Sequence, residues 1–227
     1  MNLTTYILGS LYIMRSVFRF SNYLTNYLYK NDIINLPLTK FDKINECIYS
    51  SIHGVLVSLI AVIADDKSIR LQYLASSLCF SYFTIDLIHC IYYKKYLFIL
   101  HHLAALNLLL VSFYLYYNKQ NTENYTMDMI FLLESNTVLL NIGFLLKEFN
   151  FHYSITCLAW IIHLCFFIIF RIIMIPKILI VYYYNESFNV ITLSQLPSFG
   201  MILSGSVYWA YRQAIGINKY LKENSVI

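Results

Sequence analysis

Apolar residues occur along this chain in seven long runs, and a short polar segment separates each run from the next. A helix needs roughly 20 mostly apolar residues to cross the hydrocarbon core of a bilayer. The runs come close to that length or exceed it, and they cover residues 3–23, 44–64, 71–93, 96–117, 127–146, 153–184 and 191–211. The pattern predicts an all-α fold, a polytopic membrane helix bundle of about seven transmembrane helices.

The first and sixth runs depart from a simple apolar span. Arg15 and Arg19 interrupt the first run, but their spacing of four places them on one helix face. Both side chains can therefore extend toward the same membrane interface. The sixth run is longer than one crossing and contains Pro176, so we expect a tilt or a kink there.

Composition supports a membrane protein and excludes several other classes. Of the 227 residues, 59% are hydrophobic and 12% are charged, about half the charged fraction of soluble domains. The net charge of +4 is scattered along the chain, so we expect no nucleic-acid partner. The five cysteines have no CxxC spacing, and we expect free thiols with no bound metal or cofactor.

The distribution of loop cations predicts the orientation, because cytosolic segments of membrane proteins are rich in Lys and Arg. With the N-terminus outside, Lys67, Arg70 and Lys119 are the outside cations. The sequons at Asn124 and Asn185 then also lie outside, which supports this orientation. The C-terminus is expected in the cytosol, together with nine loop cations: Lys30, Lys40, Lys43, Lys94, Lys95, Lys147, Arg212, Lys219 and Lys222.

Polar side chains inside the predicted spans are costly in hydrocarbon, so each is a candidate for function. Spans two to six all carry such groups, and we expect these spans to converge on one polar cavity. The residues are His53, Asp86, His89, His101, His102, Asn107, Glu134, Asn136, Asn141, His163 and Arg171.

Several of these residues also have ordinary structural explanations. His53 and His163 are expected to form hydrogen bonds between helices, and so are the three asparagines. We expect Arg171 to pair with Asp86 or Glu134, because an isolated buried charge is unfavourable.

The adjacent pair His101-His102 is harder to explain by packing alone. Imidazole can accept an acyl group as a nucleophile, or act as a general base toward an amine or a hydroxyl. A carboxylate such as Asp86 or Glu134 could orient one ring and stabilise its cation. Transfer of a lipid acyl chain is therefore chemically reasonable. A di-iron desaturase is less so, because the six histidines form no HxxH-type box.

The order and spacing of several short motifs resemble the TLC domain, which the TRAM, Lag and CLN proteins share. The resemblance implies a six-helix TLC domain at 43–222 in the endoplasmic reticulum or a related membrane, after a transmembrane helix and cytosolic loop at 1–42 and before a tail at 223–227. The motifs are Ser51-Ile-His53-Gly54, Tyr82-Phe-Thr-Ile-Asp86, His101-His102, Glu134-Ser-Asn-Thr137 with Asn141, Phe170-Arg171 before Pro176, and Tyr208-Trp209.

Within this family, ceramide synthases use paired histidines to transfer an acyl chain from acyl-CoA to a sphingoid amine. The resemblance implies that His101 and His102 are this pair, with Asp86 and Glu134 as the carboxylates beside them. The synthase His-Asp dipeptide is absent from 125–129, so the chain resembles the short TLC-domain-containing proteins more closely. The residues expected to bind substrate are His53, His89, Asn141 and Arg171, with Lys94 and Lys95 for the CoA phosphates.

Two classes of function therefore remain open. One is an acyl-CoA-dependent lipid acyltransferase, whose partners are membrane lipids and acyl-CoA. The other is a non-catalytic protein that binds or senses lipid, or that serves trafficking or lipid homeostasis. A polar cavity that is open to the cytosol and holds an acyl chain would favour the enzyme. A cavity closed by side-chain pairing would favour the binding protein. The sequence does not determine an oligomeric state.

Overall fold

The structure, a computed structural model of the chain, describes residues 3–30, 40–64, 68–117, 125–185 and 190–224. All regular elements in these ranges are helices, as the apolar pattern predicts. Asn124 and the residues that follow Asn185 in its sequon lie outside these ranges. The elements are α1 (Leu3–Lys30), α2 (Phe41–Ile63), α3 (Ile69–Tyr92), α4 (Tyr96–Tyr117), α5 (Tyr125–Glu148), α6 (Tyr153–Phe167), a π-helical segment (Ile168–Met174), α7 (Ile175–Asn185) and α8 (Val190–Asn224).

Five helical rods in the described residues are long and apolar enough to cross a membrane. They are α2, α3, α4, α5 and the continuous rod formed by α6, the π-helical segment and α7. Helices α1 and α8 are also long, with 28 and 35 residues, but they are more polar. Arg15 and Arg19 are both exposed on the outer surface of α1. The chain is thus an integral, multi-pass membrane protein.

Close contact between α2 and α5 forms the centre of the bundle, and Gly54 makes this contact possible. A Cβ atom at position 54 would lie 2.9 Å from the backbone oxygen of Glu134 and 2.8 Å from Cγ2 of Val138. Real Cβ atoms do not approach other atoms so closely. Only glycine lets the two backbones meet here, and this brings His53 of α2 beside Glu134 of α5.

The sixth span is one continuous helical rod past Pro176, and a widened turn precedes the proline. The seven residues from Ile168 to Met174 form a π-helix directly before α7. Proline has no backbone N–H and its ring crowds the preceding turn, so a widened turn relieves the conflict. Arg171 lies within this widened segment and is buried.

Helix α8 extends beyond the predicted end of its span at residue 211 and remains helical to Asn224. Its last turns pack on α6 through one face. Ile217 is buried, the ring of Tyr220 lies 5.1 Å from that of Trp160, and Gln213 Nε2 donates to His163 Nδ1 at 2.6 Å. This packed face explains why the polar tail continues as a helix.

Ion pairs connect the helix ends on the side of the bundle that the loop cations assign to the cytosol. The carboxylate of Glu148 at the end of α5 forms ion pairs with Nζ of Lys40 at 2.8 Å and with Nζ of Lys43 at 2.9 Å. Lys95 donates to both oxygens of Glu46 at 3.2 Å. Burial alone would lower the pKa of Lys95, but the Glu46 carboxylate outweighs it and the pKa is raised.

Candidate functional site

His102 and Asp86 form a close pair between α4 and α3. The Nε2 atom of His102 lies 2.5 Å from Oδ2 of Asp86, and its Nδ1 atom lies 2.6 Å from the backbone oxygen of Phe98. His102 is 4% exposed, so this ring sits in the interior of the bundle. Both of its nitrogens are therefore already engaged by hydrogen-bond acceptors.

This arrangement defines the chemical role that is open to His102. A ring that faces two acceptors is satisfied when both nitrogens carry a proton, or when Asp86 holds the second proton. The distance of 2.5 Å is typical of a strong, charge-assisted hydrogen bond. In this state neither nitrogen offers a free lone pair for attack. His102 with Asp86 is suited to hold and return a proton.

His101 lies in a different environment although it is the next residue. Among the described residues no hydrogen bond involves its ring, and its Nδ1 atom is shielded without a partner. The rings of His101 and Trp209 pack edge to face at a centroid distance of 5.0 Å and an angle of 83°. Adjacent residues of a helix point about 100° apart, which explains the contrast between the two histidines.

His101 lines a groove between α4 and α8. We call it the α4–α8 groove, and its volume is about 100 Å³. Residues from both helices form it, and one of them, Trp209, also stacks on Phe98. The lining residues are Leu97, Leu100, His101, Met201, Ser204, Gly205 and Trp209.

Glu134 pairs with His53 and not with either member of the histidine pair. The Nδ1 atom of His53 lies 3.3 Å from Oε2 of Glu134, at an angle outside hydrogen-bond geometry. His53 is fully buried, and Glu134 is 4% exposed. Tyr82 stacks on His53 at a centroid distance of 3.9 Å and an interplanar angle of 7°, and its hydroxyl donates to Ser50. The bundle therefore contains two separate histidine–carboxylate pairs.

The prediction that Arg171 pairs with a carboxylate is wrong. In the described part of the chain neither Asp86 nor Glu134 lies within 4.0 Å of its guanidinium, and Nη2 donates instead to the backbone oxygen of Leu133 at 3.0 Å. The Phe167 ring covers the guanidinium at 5.1 Å. The Arg171 charge can still act on Glu134 through space. The π-helical segment directs the side chain to the α5 backbone just before Glu134.

The other candidate residues lie apart from the two histidine–carboxylate pairs. His89 packs against Phe18 of α1 and against Tyr93, although it lies three residues from Asp86 on the same helix. Asn141 is buried and its Nδ2 atom has no partner. Asn107 donates to Ser198 of α8 at 2.9 Å, which confirms its predicted role between helices. The predicted single polar cavity is thus divided into smaller groups.

The two lysines proposed for the CoA phosphates differ in their availability. Lys95 is held by Glu46 in the ion pair described above. Lys94 is exposed, and its positive φ of 56° places it at the turn between α3 and α4. Of the two, only Lys94 is free of a described ion pair and can meet a phosphate without breaking one.

Trp209 and Gly205 are the site residues whose roles the sequence did not indicate. A Cβ at Gly205 would lie 3.6 Å from the Trp209 ring, so the glycine leaves room beside that ring. Gly205 and Trp209 are four residues apart, so they are neighbours on the same helix face. A small residue beside an aromatic one at this spacing is the sequence pattern that could have indicated this part of the site. From the sequence, Trp209 is a candidate only through the Tyr208-Trp209 motif, which resembles the TLC domain.

Asp86, Cys90 and His102 also bring three possible metal ligands within 4.8 Å of one another. The Cys90 thiol lies 4.0 Å from the same Asp86 oxygen that faces His102. The 2.5 Å between Asp86 and His102 is the separation of two atoms that share a proton. We therefore interpret this cluster as a hydrogen-bonded pair with a neighbouring thiol.

These features define a class: a multi-pass membrane helix bundle with histidine–carboxylate pairs in its interior. The family described as TLC domain matches residues 43–214, which is most of the chain. The chain therefore belongs to the TLC domain family. No curated protein and no solved structure gave a match to it.

Proposed function

We propose that this protein is a lipid acyltransferase that uses acyl-CoA and in which His101 is the reactive imidazole. One observation carries the proposal. The ring of His101 has no described hydrogen bond and lines the α4–α8 groove, while His102 beside it is fixed by Asp86 and by the Phe98 carbonyl. A free imidazole next to an oriented histidine–carboxylate pair supplies both a nucleophile and a proton carrier.

Acyl transfer takes place in two steps. In the first, a nitrogen of His101 attacks the thioester carbonyl carbon, the N–C bond forms, and the C–S bond breaks to release the CoA thiolate. The ring proton from the other nitrogen leaves to the thiolate. In the second, the amine or hydroxyl of an acceptor lipid attacks the acyl carbon. The bond to His101 breaks, and the acceptor's proton returns to the imidazole.

The direction of acyl-CoA entry follows from the proposed orientation. With the C-terminus in the cytosol, the turn that carries Lys94 and the α4–α8 groove lie on the cytosolic side. Lys94 is exposed at this turn and offers a charge to the CoA phosphates. The acyl chain then enters the bundle from the same side. We place the protein in the membrane of the endoplasmic reticulum, as the family suggests.

A second function, lipid binding without catalysis, is favoured by a different observation. An apolar cavity inside the bundle reaches Glu134 but is not lined by His101 or His102. A protein that only holds or senses lipid would need this cavity and not the groove. The two functions therefore predict different effects of a change at His101. An acyltransferase would lose acyl transfer, whereas a protein that only binds lipid would be unaffected.

Lipid analysis of cells that express the chain separates these two functions. His101→Gln keeps a polar side chain of similar size in the groove but removes the imidazole nucleophile. His152→Gln is the matched control, because His152 is exposed at the start of α6 and lies outside both pairs. The acyltransferase predicts a change in acylated lipids with the unaltered chain and with His152→Gln, and none with His101→Gln. A full lipid change with a well-expressed His101→Gln protein would contradict the acyltransferase and favour lipid binding.

A further inference from the structure

Asp86, Cys90 and His102 bring a carboxylate, a thiol and an imidazole together inside the bundle. Asp86 and Cys90 are four residues apart on α3 and therefore share one face of that helix, and His102 reaches them from α4. Their ligand atoms all lie within 4.8 Å of one another, and Cys90 and His102 are buried. We call these residues the Asp86–Cys90–His102 cluster. The acyl transfer proposed above makes no use of Cys90.

The second ring nitrogen of His102 has the partner that is usual for a zinc-binding histidine. Its Nδ1 atom lies 2.6 Å from the backbone oxygen of Phe98. A metal-bound histidine almost always donates its second ring N–H to a carbonyl, a carboxylate or a water, which fixes the ring and leaves the other nitrogen for the metal. In His102 this other nitrogen is Nε2, and it faces the same Asp86 oxygen that Cys90 contacts. The cluster therefore combines a set of metal ligands with the hydrogen bond that supports one of them.

The distances suit a tetrahedral metal ion after one small adjustment. Zinc binds nitrogen and oxygen at about 2.0–2.2 Å and sulfur at about 2.3 Å, so two ligands of a tetrahedral site lie about 3.3–3.8 Å apart. The Sγ atom of Cys90 is 4.0 Å from Oδ2 of Asp86, close to this range. The 2.5 Å between that oxygen and Nε2 of His102 is the separation of the metal-free pair, which shares a proton. A metal in place of this proton needs a separation larger by about 0.8 Å, which small side-chain rotations provide.

Charge and access also favour zinc at this cluster. A zinc ion bound to one thiolate, one carboxylate and one neutral imidazole has no net charge, which avoids the cost of burying an isolated ion. Magnesium and calcium ions prefer shells made of oxygen ligands and fit a thiolate poorly. Cys90 lies two residues before the end of α3, and the Asp86 side chain is 25% exposed. An ion that arrives at this end of the bundle therefore has a short path to the cluster.

We propose that Oδ2 of Asp86, Sγ of Cys90 and Nε2 of His102 bind one zinc ion, with a fourth position open to water. On binding, the Cys90 thiol and the Asp86–His102 pair each release one proton to the solvent, and three bonds to the metal form. The bound metal fixes α3 to α4 and withdraws His102 and Asp86 from proton transfer. Zinc binding itself does not depend on the proposed function, because it requires no acyl-CoA.

The test uses the full-length protein in nanodiscs, freed of any affinity tag, with Zn²⁺ or Co²⁺ as the probe. Competition with a chromogenic chelator gives the zinc affinity, tryptophan fluorescence gives the Tm, and X-ray absorption identifies the atoms bound to zinc. Cys90→Ser removes the sulfur ligand and nearly keeps the size of the side chain. Cys79→Ser is the matched control, because Cys79 is buried on the same helix and lies outside the cluster.

We expect one zinc ion per chain, with one sulfur neighbour at about 2.3 Å and the remaining neighbours at about 2.0–2.2 Å. Bound Co²⁺ should show a thiolate charge-transfer band. Zinc at about a hundred times its Kd should raise the Tm by about 5–10 °C. Cys90→Ser should abolish the band and weaken zinc binding at least about tenfold, since loss of a residue that merely supports a ligand already costs about 10–100-fold. Cys79→Ser should retain the band and the affinity.

Three results would overturn the inference. The first is that the unaltered protein binds no zinc, and the second is that a folded Cys90→Ser protein binds zinc as tightly as the unaltered one. The third is an X-ray absorption spectrum of the zinc-bound unaltered protein that shows no sulfur neighbour. The first and third results need no variant, so they apply even if Cys90→Ser does not fold. Zinc bound by the expected atoms in a protein that never transfers an acyl group would contradict the proposed function and leave the zinc site standing.

Discussion

Gly54→Ala tests the closest backbone contact in the bundle. The added methyl group would lie 2.9 Å from the backbone oxygen of Glu134 and 2.8 Å from Cγ2 of Val138. The Val138 side chain can rotate, but the Glu134 oxygen belongs to α5 and moves only with the helix. The substitution must therefore separate α2 from α5 and disturb the His53–Glu134 pair.

The expected cost follows from comparison with a second glycine. Overpacking a helix interface by one methyl group costs about 1–3 kcal/mol, whereas alanine gains up to about 1 kcal/mol over glycine in helix propensity. Gly9→Ala has the same propensity gain, and no atom lies within 4 Å of its new methyl group. The difference in unfolding free energy between the two variants therefore isolates the clash, at about 1–3 kcal/mol.

Buried thiols provide the assay. Cys47, Cys79, Cys90 and Cys157 are buried and Cys165 is exposed, so a thiol-reactive dye applied to a Cys165→Ser background reports unfolding. Each kcal/mol should lower the Tm by about 2–4 °C for a protein of this size. A Tm for Gly54→Ala equal to that for Gly9→Ala would refute the close contact of α2 with α5.

Five further substitutions have outcomes that the structure specifies. Arg171→Leu should lower the Tm and the cellular abundance, because the Leu133 carbonyl then loses its buried donor; a wild-type Tm would contradict this. Gly205→Phe should block the α4–α8 groove and abolish lipid acylation with normal expression, whereas Gly200→Phe, which meets open space, should retain it. Lys95→Gln should cost less than about 1 kcal/mol as a partly exposed pair, and Lys94→Gln should leave the Tm unchanged while raising the KM for acyl-CoA.

The membrane fold could be predicted from the sequence because the bilayer imposes a simple rule on composition and length. The apolar runs predict the ends of α2 to α7 to within three residues, and the boundaries of α4 agree fully. Helix α1 continues seven residues past the predicted end of its span at residue 23. The long end of α8 was missed, since its stability depends on contacts with Trp160 and His163 of α6 that are remote in the sequence.

The pairing of charges within the bundle could not be predicted in the same way. Candidate residues such as His102, Asp86 and Glu134 follow from their cost in hydrocarbon. Their partners depend on helix rotation, and a rotation of one residue turns a side chain by about 100°. Thus Asp86 meets His102, whereas Glu134 meets His53 through the close approach at Gly54. Arg171 lies in the π-helical segment, and this places its side chain where it donates to the backbone carbonyl of Leu133.

Covalent labelling of the purified protein by a clickable acyl-CoA tests the central claim, that His101 accepts an acyl group. Labelling is measured with all five cysteines replaced by alanine, so that thioesters cannot contribute. We expect hydroxylamine-sensitive label on the peptide with His101, retained in His152→Gln and lost in His101→Gln. Label of equal intensity in a folded His101→Gln protein would contradict this claim. So would hydroxylamine-sensitive label found only on a peptide that does not contain His101.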